Sequence, residues 1–151
     1  MATCADLARR LLDAARDDEL MASSLLPVRG VSDAGIGFHA HQAVEKAIKA
    51  VLSFDQTKFP FTHDLERLKE FAKESGISLP ATLNGVERLT PFARDERYGS
   101  ETPLSLDRDQ ALQWAAAAVA WARSIVEEPA ADQEAPTEPD PPQSPPPAPS
   151  S

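Results

Sequence analysis

Apolar side chains recur every three or four positions along most of the chain, with charged residues between them. In residues 4–26, the positions with this spacing are Leu7, Leu11, Ala14 or Ala15, Leu25 and Leu26. This spacing places them on one side of a helix. Pro27 and Gly30 indicate where that first helix ends.

A second helix is predicted from Asp33, a residue type suited to the N-cap position, to about Ser53. Its broad apolar face consists of Phe38, Ala40, Ala43, Val44, Ala47, Ile48, Val51 and Leu52. Because the connection between the first two helices is short, we expect them to pack antiparallel.

Two further helices are predicted in the middle of the chain. The third begins at Thr62 and Asp64 and ends at Gly76. Its apolar stripe consists of Leu65, Leu68, Phe71 and Ala72. Pro80 is typical of the first turn of a fourth helix, whose inward positions are Leu83, Val86 and Leu89. Pro91 lacks a backbone donor, so we expect it to kink or break that helix.

The last helical pattern covers about residues 108–127, with Asp107 as the expected cap. One seam of this fifth helix consists of Trp114, Ala118, Trp121 and Ile125. Neither alternating strands nor hairpin turn signals appear in the sequence. The sequence therefore predicts an all-α fold, an up-and-down helical bundle of about five helices.

Residues 127–151 have a different composition. They hold nine of the 14 prolines, six acidic residues and no basic residue, and apart from proline their largest apolar side chain is alanine. Such a segment cannot bury enough apolar surface to offset the entropy of ordering, so we expect it to be disordered. The predicted organisation is a helical bundle over residues 1–126 and a disordered, proline-rich acidic tail over residues 127–151.

The charge changes the picture of possible partners. The net charge is −9, of which the tail carries −6, so residues 1–126 carry about −3. A broad nucleic-acid surface needs a basic patch, and no run of basic residues is present.

The single cysteine, Cys4, cannot form an intrachain disulfide, which predicts a reducing cytoplasm. No apolar run reaches the roughly 20 residues of a membrane span, and Asp6 argues against a signal peptide.

The second helix also carries polar residues that form one contiguous stripe away from its apolar face. They are His41, Gln42, Glu45, Lys46 and Lys49. Glu45 and Lys49 have the favourable orientation of an i,i+4 ion pair. One interpretation is a solvated helix face, and the other is a polar strip that lines a cleft or a dimer seam.

Other candidate binding residues lie farther along the chain. His63 and Asp64 precede the third helix, where they either begin the helix or hold His63 near a phosphate. A later cluster consists of Arg88, Arg94, Arg97 and Tyr98, and it suits either phosphate and base contacts or surface ion pairs with Asp95 and Glu96.

Metal and cofactor sites are not predicted. His39 and His41 lie two positions apart on a helix and therefore point to different faces. No glycine-rich phosphate loop is present, and Cys4 has no recognisable catalytic histidine partner.

Three segments in this order resemble the HEPN domain family. They are residues 38–52 (FHAHQAVEKAIKAVL), 61–65 (FTHDL) and 93–98 (ARDERY), and the resemblance extends over roughly residues 5–126. It implies a homodimer of four- or five-helix bundles, often paired with a minimal nucleotidyltransferase encoded nearby in toxin–antitoxin-like or defence modules. Many members of the family are metal-independent ribonucleases that use an arginine followed, after four to six residues, by a histidine.

That ribonuclease motif is missing here. Arg29 lies ten positions before His39, and Lys58 has about the right spacing to His63 but is the wrong cation. The residues after Tyr98 include no histidine. The resemblance therefore favours a non-catalytic, dimerising module that acts as the partner of a nucleotidyltransferase and contacts nucleotide or RNA.

Two alternatives remain open. One is a ribonuclease toxin with a displaced active site that uses His63, Arg94 and Arg97 with Tyr98. The other is a scaffold whose residues 145–149 offer a polyproline II ligand.

Overall fold

The computed structural model describes residues 3–93 and 105–127, and within them every regular element is helical. The elements are α1 (Cys4–Leu25), α2 (Asp33–Phe54), α3 (Leu65–Glu74), two 3-10 helices (Ala81–Leu83 and Val86–Ala93) and α4 (Arg108–Val126). The prediction of an all-α bundle is confirmed for this part of the chain. The predicted tail lies outside it, apart from Glu127.

Helices α1 and α2 pack antiparallel, as predicted. At one end of the pair, the Ser53 hydroxyl donates to the Cys4 carbonyl oxygen at 2.9 Å. Toward the other end, His39 Nδ1 donates to Asp18 Oδ1 at 3.0 Å. Residues early in one helix therefore contact residues late in the other.

The N-cap of α2 is Ser32 rather than the predicted Asp33. The Ser32 hydroxyl accepts from the Gly35 backbone at 3.3 Å, which leaves the Asp33 carboxylate available for a distant contact. It accepts from Arg108 Nε at 2.6 Å and from the Leu106 backbone at 3.3 Å. Asp33 thus connects the start of α2 to the start of α4.

The third helix forms as predicted, but the fourth does not. Asp64 caps α3, and Gly76 follows its end with a φ of +83°. The predicted fourth helix is instead two 3-10 helices, separated by Asn84 and Gly85, whose φ of +89° interrupts any continuous helix. Pro91 lies inside the second of these rather than ending it.

The core forms where the apolar stripes of the helices meet. The predicted inward residues Leu83, Val86 and Leu89 are fully buried. On α4, Trp114 and Ala118 are buried as predicted, whereas Trp121 and Ile125 only pack against the edge of the core. The buried side of α4 is therefore rotated toward Ala111, Ala115, Val119, Ala122 and Val126.

Helix α2 is the centre of the bundle. It contacts α1, α3, the second 3-10 helix and α4. The contact with the 3-10 helix is close at Gly37, where an added Cβ would lie 2.5 Å from Phe92 Cδ1. Glycine at this position lets the Phe92 ring pack against the α2 backbone.

Candidate functional site

The polar stripe of α2 is largely buried. His41 is 0% exposed and Glu45 only 3% exposed, so the interpretation as a solvated face is wrong for these two residues. The cover comes from elsewhere in the chain, namely from the loop before α3 on one edge of the stripe and from α1 on the other.

Glu45 is the centre of the first group of contacts. Its Oε1 accepts from His63 Nδ1 at 2.7 Å, and its Oε2 accepts from Lys49 Nζ at 3.2 Å. Lys49 Nζ also lies 5.6 Å from the centre of the Phe59 ring. Each carboxylate oxygen has a donor, which is what a buried acid requires.

His41 holds the backbone of the same loop. Its Nε2 donates to the His63 carbonyl oxygen at 2.8 Å. Its Nδ1 has no hydrogen-bond partner among the residues that the structure describes. Burial lowers the pKa of His41 below its usual value, because the charged ring would lose its hydration. The neutral ring then carries its proton on Nε2.

We call His41, Glu45, Lys49 and His63 the His63 cluster. All four were predicted as binding residues, and the structure brings them together. His63 is the member exposed to solvent, because its side chain is 69% exposed whereas that of Glu45 is 4% exposed. The cluster therefore presents a single imidazole, oriented at its side chain by Glu45 and at its backbone by His41.

The exposed imidazole borders a cavity of about 480 Å³. The lining residues within the described ranges are Phe61, Thr62, His63, Asp64, Thr90, Pro91 and Ala93. Asp64 serves as the α3 cap, with Oδ1 accepting from the backbones of Glu66 at 3.0 Å and Arg67 at 3.4 Å. Phe61 and Thr90 were not predicted as site residues, because nothing in the sequence relates the loop to the second 3-10 helix.

Lys46 belongs to a separate group on the other edge of the stripe. Its Nζ donates to Asp18 Oδ2 at 2.6 Å, and His39 donates to the other oxygen. Gln42 is half-buried between the two groups. Asp18 was missed by the sequence analysis, although a signal exists. It lies three positions after Ala15, on the buried side of α1, where an acid needs a partner.

Of the predicted arginine cluster, Arg88 lies within the described residues. The Arg88 guanidinium lies over the Trp114 ring, 5.0 Å from its centre, which is a cation–π contact. Arg94, Arg97 and Tyr98, and their suggested partners Asp95 and Glu96, lie outside the described residues.

The two histidines of α2 engage different partners. His39 binds Asp18, and His41 binds the His63 carbonyl oxygen, so they point to different faces as predicted. Across residues 3–93 and 105–127, no group of three or more histidine, cysteine and acidic side chains is placed to hold a metal ion. In the same ranges, no helix is long and apolar enough to cross a membrane.

Taken together, the fold and the cluster define an all-α bundle with a polar site on its second helix. Residues 8–128 match the family model described as the HEPN domain. The match covers most of the chain, which therefore belongs to the HEPN family. No curated protein and no solved structure matches the chain.

Proposed function

We propose that this HEPN protein is a non-catalytic, dimerising partner module for a minimal nucleotidyltransferase in a toxin–antitoxin-like or defence system. The observation that supports this function best is the construction of the His63 cluster. Two buried side chains of α2 hold one exposed imidazole at a cavity, which is the preorganisation expected of a recognition site. The absence of the family's arginine–spacer–histidine motif from the sequence supports a binding role over catalysis.

Co-purification tests the partner. The full chain, carrying an affinity tag, is mixed with the nucleotidyltransferase-type protein encoded by a neighbouring gene. We expect a stable complex that is weakened by His63→Ala and unaffected by Lys73→Ala, a change at an exposed residue of α3. No complex with the unmodified chain would contradict the partner role.

The dimer is tested by light scattering after size-exclusion chromatography. We expect twice the 16.3 kDa mass of one chain. A single-chain mass at micromolar concentration would refute dimerisation without affecting the partner test.

Contact with nucleotide or RNA is the third part of the proposal. The residue types that suit it are Arg97 and Tyr98. A fluorescent single-stranded RNA should bind the unmodified chain more tightly than an Arg97→Ala variant, and equal binding would remove this part.

A second candidate function is ribonuclease activity at a displaced site. The pair of Glu45 and His63 favours it, because a carboxylate that fixes an imidazole leaves the other ring nitrogen oriented toward solvent as a proton acceptor. Expression of the unmodified chain, His63→Ala and Arg97→Ala separates the candidates by growth and RNA cleavage. Neither toxicity nor cleavage from the unmodified chain would eliminate the ribonuclease.

A further inference from the structure

When His63 is neutral, the described residues around the cavity beside His63 carry a net negative charge. Among the described residues that line it, none is a lysine or an arginine, whereas Asp64 contributes a carboxylate. The hydroxyl oxygens of Thr62 and Thr90 accept backbone N–H groups, from Asp64 at 3.1 Å and from Leu65 at 3.3 Å, and these neutral hydroxyls add no charge. The part of the lining that the structure describes therefore carries one carboxylate charge and no lysine or arginine charge.

The N-terminus of α3 does not compensate for this. A helix N-terminus attracts anions through its unsatisfied N–H groups, but here Asp64 Oδ1 already accepts from two of them. The carboxylate charge offsets the positive end of the helix dipole. A phosphate placed in the cavity would meet the Asp64 carboxylate at close range.

His63 adds another acceptor. When its ring is neutral, the proton on Nδ1 is donated to Glu45 Oε1 at 2.7 Å, so Nε2 presents a lone pair. The side chain is 69% exposed, which makes this lone pair accessible to a donor from outside the chain.

Phe61 provides an aromatic surface at the same place. It is the most exposed of the large apolar residues that the structure describes, with its whole side chain in water. The face of an aromatic ring carries partial negative charge and attracts cations. A ring, a carboxylate and an imidazole lone pair are thus found together at one cavity.

We infer that this cavity binds a basic side chain, preferably arginine, from the partner protein. Arginine is flat enough to stack on Phe61 and carries five N–H donors for Asp64 and His63 Nε2. The cavity of about 480 Å³ has ample room for one guanidinium group. The net charge of −9 on the chain, of which residues 1–126 carry about −3, also favours a basic partner. Only the identity of that partner rests on the proposed function.

The test uses the full chain and small probes in an NMR titration. The probes are N-acetyl-arginine methylamide, its uncharged analogue N-acetyl-citrulline methylamide, and AMP. We expect saturable shifts of the Phe61 ring and the His63 imidazole with the arginine probe. The citrulline probe should bind about two- to fivefold more weakly, the factor expected for loss of one exposed charge interaction. AMP should give no saturable shift at these residues.

Two variants locate the effect without unfolding the protein. Asp64→Asn removes the charge but keeps a good N-cap residue, and Phe61→Leu removes the ring but keeps an apolar side chain. Each should weaken the arginine probe by about two- to fivefold. Asp17→Asn is the matched control, because it removes one negative charge from an exposed position of α1.

Three results would overturn the inference. They are equal binding of the arginine and citrulline probes, tighter binding of AMP at Phe61 and His63, and equal weakening by Asp17→Asn and Asp64→Asn. Because the titration needs no partner protein, a failed co-purification would refute the proposed nucleotidyltransferase partner and leave this site intact.

Discussion

The buried imidazole of His41 joins α2 to the loop that precedes α3, and it does so in its neutral form. Its Nε2–H donates to the His63 carbonyl oxygen at 2.8 Å. Protonation would place a second N–H on Nδ1, which faces no acceptor in the described part of the chain. Because burial disfavours the charged form of His41, the free energy of unfolding should depend on pH.

The first prediction concerns the pH dependence of that stability. The folded chain lowers the pKa of His41 below the value of 6.5 for an unperturbed histidine. Below about pH 6.5, the unfolded chain therefore binds more protons than the folded chain. As the pH is lowered from about 6.5 toward the lower pKa of His41 in the folded chain, the free energy of unfolding should decrease. The contribution of this residue is at most about 1.4 kcal/mol per pH unit.

Urea denaturation of the unmodified chain and of His41→Gln at several pH values measures this effect. Glutamine keeps an N–H donor but does not titrate, so the variant should lose less stability between pH 6.5 and 5. Above pH 7.5, the two proteins should show the same pH dependence. Identical slopes below pH 6.5 would show that His41 is not the source.

The second prediction concerns Glu45. Glu45→Gln removes the negative charge that neutralises Lys49, whose side chain is only 12% exposed. Loss of one member of a buried ion pair typically costs about 3 kcal/mol, and we expect a loss of that size in urea denaturation. The double variant Glu45→Gln, Lys49→Met should recover much of it. Glu66→Gln, on an exposed residue, should change stability by less than about 0.5 kcal/mol.

At the scale of elements, the spacing of apolar residues and the capping residues predicted where the helices lie. They did not predict the long-range contacts that the helix ends make. As predicted, α1 ends just before Pro27, α3 lies between Asp64 and Gly76, and α4 begins directly after Asp107. Ser32, rather than Asp33, caps α2, and the Asp33 carboxylate instead binds Arg108, 75 positions away. Such a long-range contact leaves no trace in local spacing.

The positions of the cluster residues on α2 were predictable from the sequence, but their surroundings were not. The sequence places His41, Glu45 and Lys49 on one side of α2, and that part is confirmed. Whether the stripe meets water depends on His63 and Asp18, which come from other elements. The 3-10 geometry after Pro80 was equally hidden, because the same apolar positions suit an α-helix.

The third prediction concerns the packing of the second 3-10 helix on α2. Gly37→Ala would place a Cβ 2.5 Å from the Phe92 ring, whereas Gly35→Ala meets nothing closer than 3.8 Å. Alanine favours a helix by about 1 kcal/mol over glycine, but overpacking costs about 1–3 kcal/mol. Gly35→Ala should therefore stabilise the protein and Gly37→Ala should destabilise it.

Thermal and urea unfolding of the two glycine variants distinguish these effects. Adding Phe92→Leu to Gly37→Ala should restore part of the lost stability, because a smaller side chain relieves the overlap. Equal stabilisation by both alanines would mean that the Phe92 contact does not limit the packing.

At the scale of the whole molecule, the composition of residues 127–151 predicts that they add little to folding. Removal of residues 129–151 should shift the melting temperature by less than about 2 °C, which corresponds to roughly 0.5 kcal/mol in a domain of this size. A large drop would refute the predicted organisation.

A slightly longer truncation is the matched comparison. Removal of residues 127–151 also deletes Glu127, whose carboxylate lies 3.0 Å from Arg16 Nη2. Both side chains are about one-third exposed, so the additional loss should stay below about 1 kcal/mol. Light scattering on both truncations tests whether self-association survives.

The central position of α2 also has a consequence for how the molecule opens. Because α2 contacts α1, α3, α4 and the second 3-10 helix, its amides can exchange with deuterium only when most of the bundle separates. The amides of α3 and of the 3-10 helices have fewer neighbours to displace and should exchange earlier, through local opening. The His63 imidazole is held by α2, whose amides should exchange most slowly. The opposite wall of the cavity belongs to the second 3-10 helix, whose amides should exchange among the fastest.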